Sequence, residues 1–390
     1  MLTSLALIFC LGAILGGVFK RLRLPSLLGM LLGGILLGPH VLNALNGSIL
    51  AISADLRTLA LVIILLRAGL ALDVNDLRCV GRPAVLMCFV PACFEISGMV
   101  AIAPRLLGIS VLDAAIMGAV VGAVSPAVIV PKMLYLMEHR YGTDKSIPQL
   151  IMAGASVDDV FVIVMFTAFT GLAQGDAVTA ASFLQIPSSI ALGLAVGVAL
   201  GLAIAAFLKR VRIRHSMKVV AFLSVAFLLI ALENVSPVPF SALLAVMSMG
   251  CAFAKKQADV AAAVSSKLSK LWVAAEILLF VLVGAAVDIR YAAASGIAAV
   301  LVIFGALAFR MLGVAVCMLR TTLTRRERLF CMLAYTPKAT VQAAIGSVAL
   351  SMGLSCGNIV LTVAVLAIII TAPLGAFAIE LSYKSLLTAE

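Results

Sequence analysis

Apolar positions in this chain run in long unbroken blocks, not at every second or third place. Thirteen blocks stand out, at 2–19, 25–42, 56–72, 83–105, 111–136, 147–173, 183–208, 218–234, 238–254, 271–287, 292–319, 327–352 and 357–381. A helix of about twenty apolar residues crosses the roughly 30 Å hydrocarbon core of a bilayer, whereas a barrel strand needs only about ten. Helices and closed barrels are the two structures that satisfy every backbone group in lipid. The block lengths therefore predict an all-α polytopic membrane protein with about thirteen transmembrane helices.

Composition narrows the class further. The chain is 64% hydrophobic and 12% charged, with a mean hydropathy of +1.23, which excludes a soluble domain of this size. One membrane domain, 1–390, takes up the length. The net charge of +11 is not a nucleic-acid signature, because the basic residues sit in short loops between apolar blocks. With the N-terminus outside, twenty-one Lys and Arg fall in inside loops and only Arg57, Arg105 and Arg290 at outside ends. That skew is the positive-inside pattern and supports both the span count and a cytoplasmic C-terminus. The basic cluster Lys20, Arg21, Arg23 follows the first apolar block, as after a membrane helix and unlike a signal peptide. The eight cysteines, Cys79 among them, form no CxxC or Cys/His cluster and read as apolar packing residues without disulfides or zinc. His40, His139 and His215 fall near or beyond span ends and read as surface residues.

Small residues recur at Gly29, Gly33, Gly34 and Gly38, and at Gly193, Gly197 and Gly201. Four-residue spacing of this kind suits close helix packing; a dimer contact through one of these faces is the alternative. A second repetition has more consequence. The fifth block holds AVSPAVIVP around Ser125 and Pro126, and the twelfth holds AYTPKATVQ around Thr336 and Pro337. Proline removes a helix hydrogen bond, so each block is expected to break in mid-membrane. The two prolines lie 211 residues apart on spans of opposite direction, the mark of inverted repeats whose broken helices cross at an ion site.

Ionisable residues at bilayer depth supply the chemistry. Asp158 and Asp159 are adjacent in the sixth block, where one carboxylate alone costs about 2.5 kcal/mol or more. Neighbouring helix residues point about 100° apart, so a single basic partner would satisfy only one of them. The other is expected to face a wet cavity and bind a hard cation through oxygen. Loss of water favours the protonated acid, so a proton competes with the cation for the same oxygens. Glu95 and Arg310 occupy matching spans of the two repeats and are expected to form an inter-repeat ion pair, either structural or part of the working cycle. Lys338 follows the second break and is expected to neutralise the carbonyl ends of the half-helices. Ser125, Pro126, Thr336, Pro337 and Thr340 line the breaks, their hydroxyls available as cation ligands or as backbone caps. Arg67 and Lys132 lie nearer span ends.

Several runs resemble the NHA subgroup of monovalent cation/proton antiporters: LRTLALVIILLRAGLALD (56–73), VVGAVSPAVIVPKML (120–134), ASVDD (155–159), LFVLVGAAVD (279–288) and YTPKATVQAAIG (335–346). PSLLGMLLGGILLGP (25–39) resembles the wider superfamily. The resemblance implies the sodium/proton antiporter fold with elevator-type alternating access. It implies a homodimer with core helices in about 83–173 and 292–381 and scaffold or dimerisation helices in about 2–72 and 183–287. It makes Asp159 the principal carrier of Na⁺ or Li⁺ and H⁺, with Asp158 its neighbour, Glu95 and Arg310 the ion pair, and Lys338 the motif lysine. No cofactor is implied, and the partners are monovalent cations, protons and lipid, with no nucleic acid. The alternatives are K⁺/H⁺ exchange on the same fold and a non-transporting sensor or scaffold. An intramembrane aspartyl enzyme does not fit, because two adjacent aspartates on one helix cannot face each other. The compact length and lack of a transit peptide favour a bacterial inner membrane.

Overall fold

A computed structural model describes residues 1–22, 24–71, 81–174, 180–211, 213–235, 240–287 and 289–389. Arg23, Arg78, Cys79, Arg212 and the ends of the runs 56–73 and 279–288 lie outside the described residues, as does the side chain of Arg290.

Among the described residues the chain is helical, with one isolated β-bridge between Tyr141 and Ala389. The helices are α1 Leu2–Arg21, α2 Ser26–Leu37, α3 Gly47–Ala51, α4 Ser53–Ala71, α5 Arg82–Met87, α6 Val90–Leu107, α7 Val111–Val121, α8 Pro126–Glu138 and α9 Ile147–Gln174. They continue as α10 Ala180–Arg210, α11 His215–Val235, α12 Ala242–Lys256, α13 Ala258–Ala285, α14 Ile289–Cys317, α15 Arg325–Ala334, α16 Thr340–Ser351 and α17 Gly357–Leu386. Each predicted apolar block coincides with a helix or a pair of half-helices. Among the described residues eight spans are long and apolar enough to cross a membrane, and α2, α7 and α16 are shorter apolar helices.

The fifth and twelfth blocks are broken as expected. The α7–α8 break falls at Gly122–Ser125, directly before Pro126, and the α15–α16 break at Tyr335–Ala339, around Pro337. A third interruption was not foreseen: the block 83–105 divides into α5 and α6 at Cys88–Phe89, just ahead of Pro91. All three prolines withhold the N–H that a continuous helix would deliver four residues back. The carbonyls concerned are those of Met87, Gly122 and Leu333, the last of which also accepts the Thr336 N–H (3.3 Å). Each finds a side-chain donor: the Tyr335 hydroxyl (3.2 Å), the Arg310 guanidinium and the Thr336 hydroxyl (2.8 Å), respectively.

Packing divides the chain into two units. The first comprises Met1–Ala54, Val74–Phe166 and Leu279–Glu390 and contains both breaks. In this unit α6 and α14 approach closely because Gly98, Gly305 and Gly313 face Phe309, Ile102 and Phe94. Gly29 faces the Leu15 backbone of α1, while Gly34 and Gly284 pair α2 with the end of α13. The loop after α8 is tied down by Lys145, whose ammonium bridges both oxygens of Glu327 (2.8 and 2.9 Å). Glu327 also closes a capping box with Thr324 at the start of α15. Lys132, placed by sequence near a span end, pairs with Glu380.

The second unit comprises Asp55–Asp73 and Thr167–Leu278. Gly193, Gly197 and Gly201 of α10 lie against Ser241, Ala245 and Met249, and Gly69 of α4 against Met247 of α12. Arg67 sits over the Trp272 ring, 5.8 Å from its centre, and interacts electrostatically with Glu276, an acidic residue the sequence inventory passed over. Both glycine stripes are thus used for helix packing within the chain. The seven described cysteines are free. His139 stacks on Tyr135, and His40 and His215 are exposed.

A side chain at Gly34 would overlap the carbonyl oxygen of Val281. Gly34→Val should therefore cost about 1–3 kcal/mol, the range for overpacked cores. A thermal midpoint in detergent equal to that of the unaltered protein would contradict this contact.

Candidate functional site

The first unit gathers the predicted site residues around one buried guanidinium. Arg310, on α14, is 0% exposed. Its Nη1 donates to Glu95 Oε2 on α6 (2.8 Å) and its Nη2 to Asp158 Oδ2 on α9 (2.6 Å). Its Nε donates to the Tyr335 carbonyl (2.8 Å), and Nη1 also reaches the Gly122 carbonyl. The Tyr335 ring lies beneath it, 5.0 Å from centre to guanidinium. A planar fork with five donors is the side chain suited to such a junction.

The expected Glu95–Arg310 pair is present, but within a larger set. Lys338 Nζ donates to the same Glu95 Oε2 (2.6 Å). Lys338 was expected to neutralise the carbonyl ends of the half-helices, yet its ammonium lies on a carboxylate instead. The carbonyl ends are served by Arg310, at Gly122 and Tyr335, and by Gln342, at Val121 and Ala123. Arg310 reaches both because the two C-terminal half-helix ends meet at the crossing. There the Ser125 N–H donates directly to the Pro337 carbonyl (2.8 Å).

The two aspartates differ in environment. Asp158 is 0% exposed; its Oδ2 accepts from Arg310 and from the Val124 N–H at the first break (2.9 Å). Asp159 is 8% exposed, and its Oδ1 is buried without a hydrogen-bond partner. Asp158 Oδ1, Glu95 Oε1 and Ser125 Oγ are likewise buried and unpartnered. Four side-chain oxygens of these residues are thus open as acceptors. Oxygen acceptors at this depth suit a hard cation or a proton.

The remaining predicted residues divide by use. Thr336 spends its hydroxyl on the Leu333 carbonyl and is a backbone cap. Thr340 is buried at the first position of α16, and Pro126 and Pro337 make the breaks. Sequence reasoning missed Gln342, Tyr335 and Thr371. Thr371 Oγ1 accepts the Lys338 N–H (3.0 Å). A glutamine inside an apolar run three residues after a helix start was the available signal for Gln342. Among the described residues no group of three His, Cys, Asp or Glu side chains could hold a resident metal.

Comparison with known proteins gives a uniform result. Residues 6–381 match the family model described as sodium/hydrogen exchanger, transmembrane. Sodium/hydrogen exchanger 9B2 of Mus musculus is 36% identical, over 92% of this chain and 68% of the relative. The same-named protein of Homo sapiens is 34% identical, over 96% of this chain and 73% of its own. Sodium/hydrogen exchanger 9B1 of Homo sapiens is 30% identical, over 99% and 78%. The structure of the sodium proton antiporter MjNhaP1 from Methanocaldococcus jannaschii superposes with a TM-score of 0.84 at 20% identity, covering 99% of this chain and 98% of that one. That likeness establishes the fold, with its inverted repeats and crossed broken helices.

Arg310 serves two carboxylates and two carbonyls, and Lys338 one carboxylate. Removing one partner of a buried pair costs about 3–5 kcal/mol. Arg310→Met should therefore lower the thermal midpoint in detergent further than Lys338→Met; the reverse order would refute the junction role. Exchanging Glu95→Arg with Arg310→Glu should not restore stability, because the new glutamate would face Asp158. Recovery to the unaltered midpoint would mean that the pair is isolated.

Proposed function

The chain belongs to the sodium/hydrogen exchanger family, and we propose that it exchanges Na⁺ or Li⁺ for H⁺ at Asp159, by an elevator-type alternating-access cycle. It is a multi-pass integral membrane protein and a transporter, not an enzyme; its cations and protons are substrates, and no cofactor is required.

The observation that carries the carrier assignment is a charge balance. Glu95 and Asp158 are two acids; Arg310 and Lys338 are two bases, joined to them by ion pairs of 2.6–2.8 Å. The quartet is neutral as it stands. Asp159 is the fifth charge, and its buried Oδ1 has no partner. Ionised and empty, it is a net negative charge out of water; holding a proton or a monovalent cation, it is balanced. The two ligands satisfy the same deficit and exclude each other, which is the coupling. Asp158 is engaged by Arg310 and the Val124 N–H, so in this reading Asp159 alone exchanges its ligand, one proton leaves per cation and exchange is electroneutral. Its unpartnered Oδ1 remains a cation ligand beside Asp159.

In this reading the helices of the first unit around the breaks, 83–173 and 292–381, carry the ion, and helices within 2–72 and 183–287 form the scaffold of a homodimer. The excess of Lys and Arg in alternate loops supports, in the same reading, an N-terminus outside and a C-terminus in the cytoplasm.

The test is dissipation of an imposed pH gradient in proteoliposomes on addition of Na⁺, Li⁺ or K⁺. Asp159→Asn should respond no more than empty liposomes while remaining folded and of unaltered oligomeric state. Wild-type rates in that variant would remove the carrier role. A response to K⁺ alone would reassign the cargo, and no response of the folded parent to any cation would leave a sensor or scaffold. An imposed membrane potential should leave the rate unchanged; acceleration would contradict one-for-one exchange.

A further inference from the structure

Gln342 is 0% exposed and lies at the third position of α16. Its Oε1 accepts the Ala339 N–H at the second break (2.8 Å). Its Nε2 donates across the crossing to the carbonyls of Ala123 (2.5 Å) and Val121 (3.3 Å) at the first. Both donors are therefore spent on the partner repeat.

Those carbonyls matter because of where they are. Val121 is the last residue of α7 and Gly122 and Ala123 open the break, so their three successive carbonyls lie at the C-terminal end of the half-helix. In broken membrane helices such oxygens are ready ligands for a cation. Here each already accepts a side-chain donor that fixes its direction: Arg310 holds the middle one and Gln342 the outer two. Side-chain oxygens of Asp158, Asp159, Ser125 and Glu95 are buried there without a hydrogen-bond partner.

We infer that Gln342 is a specificity-determining positioning residue: by holding the Val121 and Ala123 carbonyls it keeps them out of the cation's coordination shell and restricts the site to few oxygens. The number and field strength of oxygen ligands discriminate Na⁺ from K⁺, and a larger ligand set favours the larger ion. An amide can do this without adding charge, so the balance of acids and bases around Asp159 is untouched. A lysine or arginine at the same place would add a positive charge and oppose cation entry. The inference rests on the antiport reading above.

The experiment compares Gln342→Leu and Gln342→Glu with the parent in proteoliposomes, measuring apparent KM and kcat for Na⁺ and for K⁺. Leucine removes every hydrogen bond at similar volume. Glutamate is isosteric, keeps the acceptor for Ala339 and donates to a carbonyl only when protonated. The ratio of KM for K⁺ to KM for Na⁺ should fall about fivefold or more in Gln342→Leu, the weight of about one freed hydrogen-bonding group. It should fall less in Gln342→Glu, and less at low pH than at high pH. Equal losses of kcat for both ions with an unchanged ratio would overturn the inference and leave a structural staple. So would failure of Gln342→Glu to fold, or a parent that does not discriminate between the ions. A parent that moves no protons with any cation would instead sink the antiport reading, and this inference with it.

Discussion

Everything at the crossing depends on one guanidinium. Arg310 brings Glu95, Asp158, the Gly122 carbonyl and the Tyr335 carbonyl to a single buried point. These groups come from four helical segments and from both repeats. Proline at 126 creates one of the deficits it fills, since that residue has no N–H for Gly122. The break and the arginine thus have to be present together: a break without the arginine strands a carbonyl, and the arginine without the break lacks an acceptor. Buried ion pairs contribute little net stability because desolvation offsets their attraction. What this one contributes is position, fixing two interrupted helices against each other and against the helix that carries the aspartates.

Charges and helix ends are matched in sign. Half-helix C-termini carry partial negative charge, and Arg310 meets both of them. Asp158, a carboxylate, accepts the Val124 N–H just ahead of the N-terminus of α8. Gln342 supplies donors where a further cation would unbalance the cluster. The site is thereby left with a neutral framework and one group, Asp159, whose charge is unassigned. Asp158 differs from it by a single step along the same helix, which turns one carboxylate toward the arginine and the other away.

Much of this was legible in the chain. Thirteen apolar blocks gave the helices, because length and hydrophobicity alone decide what crosses a bilayer. Ser125–Pro126 and Thr336–Pro337 marked the breaks, because proline's missing donor is a local property. Glu95 and Arg310 were paired correctly from their matching spans. What sequence could not resolve was division of labour within the cluster. Lys338 was assigned the carbonyl ends on the strength of its position beside the break, but a lysine is a compact point charge with a long stem, and it settled on the nearer carboxylate. The carbonyl ends went to the residue with forked donors and to a glutamine, neither of them adjacent in sequence to the end it serves. Pro91 was passed over because no hydroxyl partner or repeat drew notice to it, although the same missing N–H operates there. The glycine stripes were read for packing, but only the structure identifies the opposing backbones.

On the proposed reading, with Asp159 as carrier in an elevator-type cycle, the neutral framework also explains why exchange need not leak. Carrying a site across the membrane interior exposes its net charge to the low dielectric. With a proton or a monovalent cation on Asp159 the cluster is balanced; with neither it bears one uncompensated negative charge. An acidic side chain at the helix centre costs about 2.5–3.5 kcal/mol, which makes the empty crossing roughly a hundredfold rarer than the loaded one. Double loading is disfavoured for the converse reason, since it would leave a surplus positive charge. Coupling in this arrangement requires no gate that senses the ligand. It follows from two acids answered by two bases, with a third acid left for the ions to answer in turn.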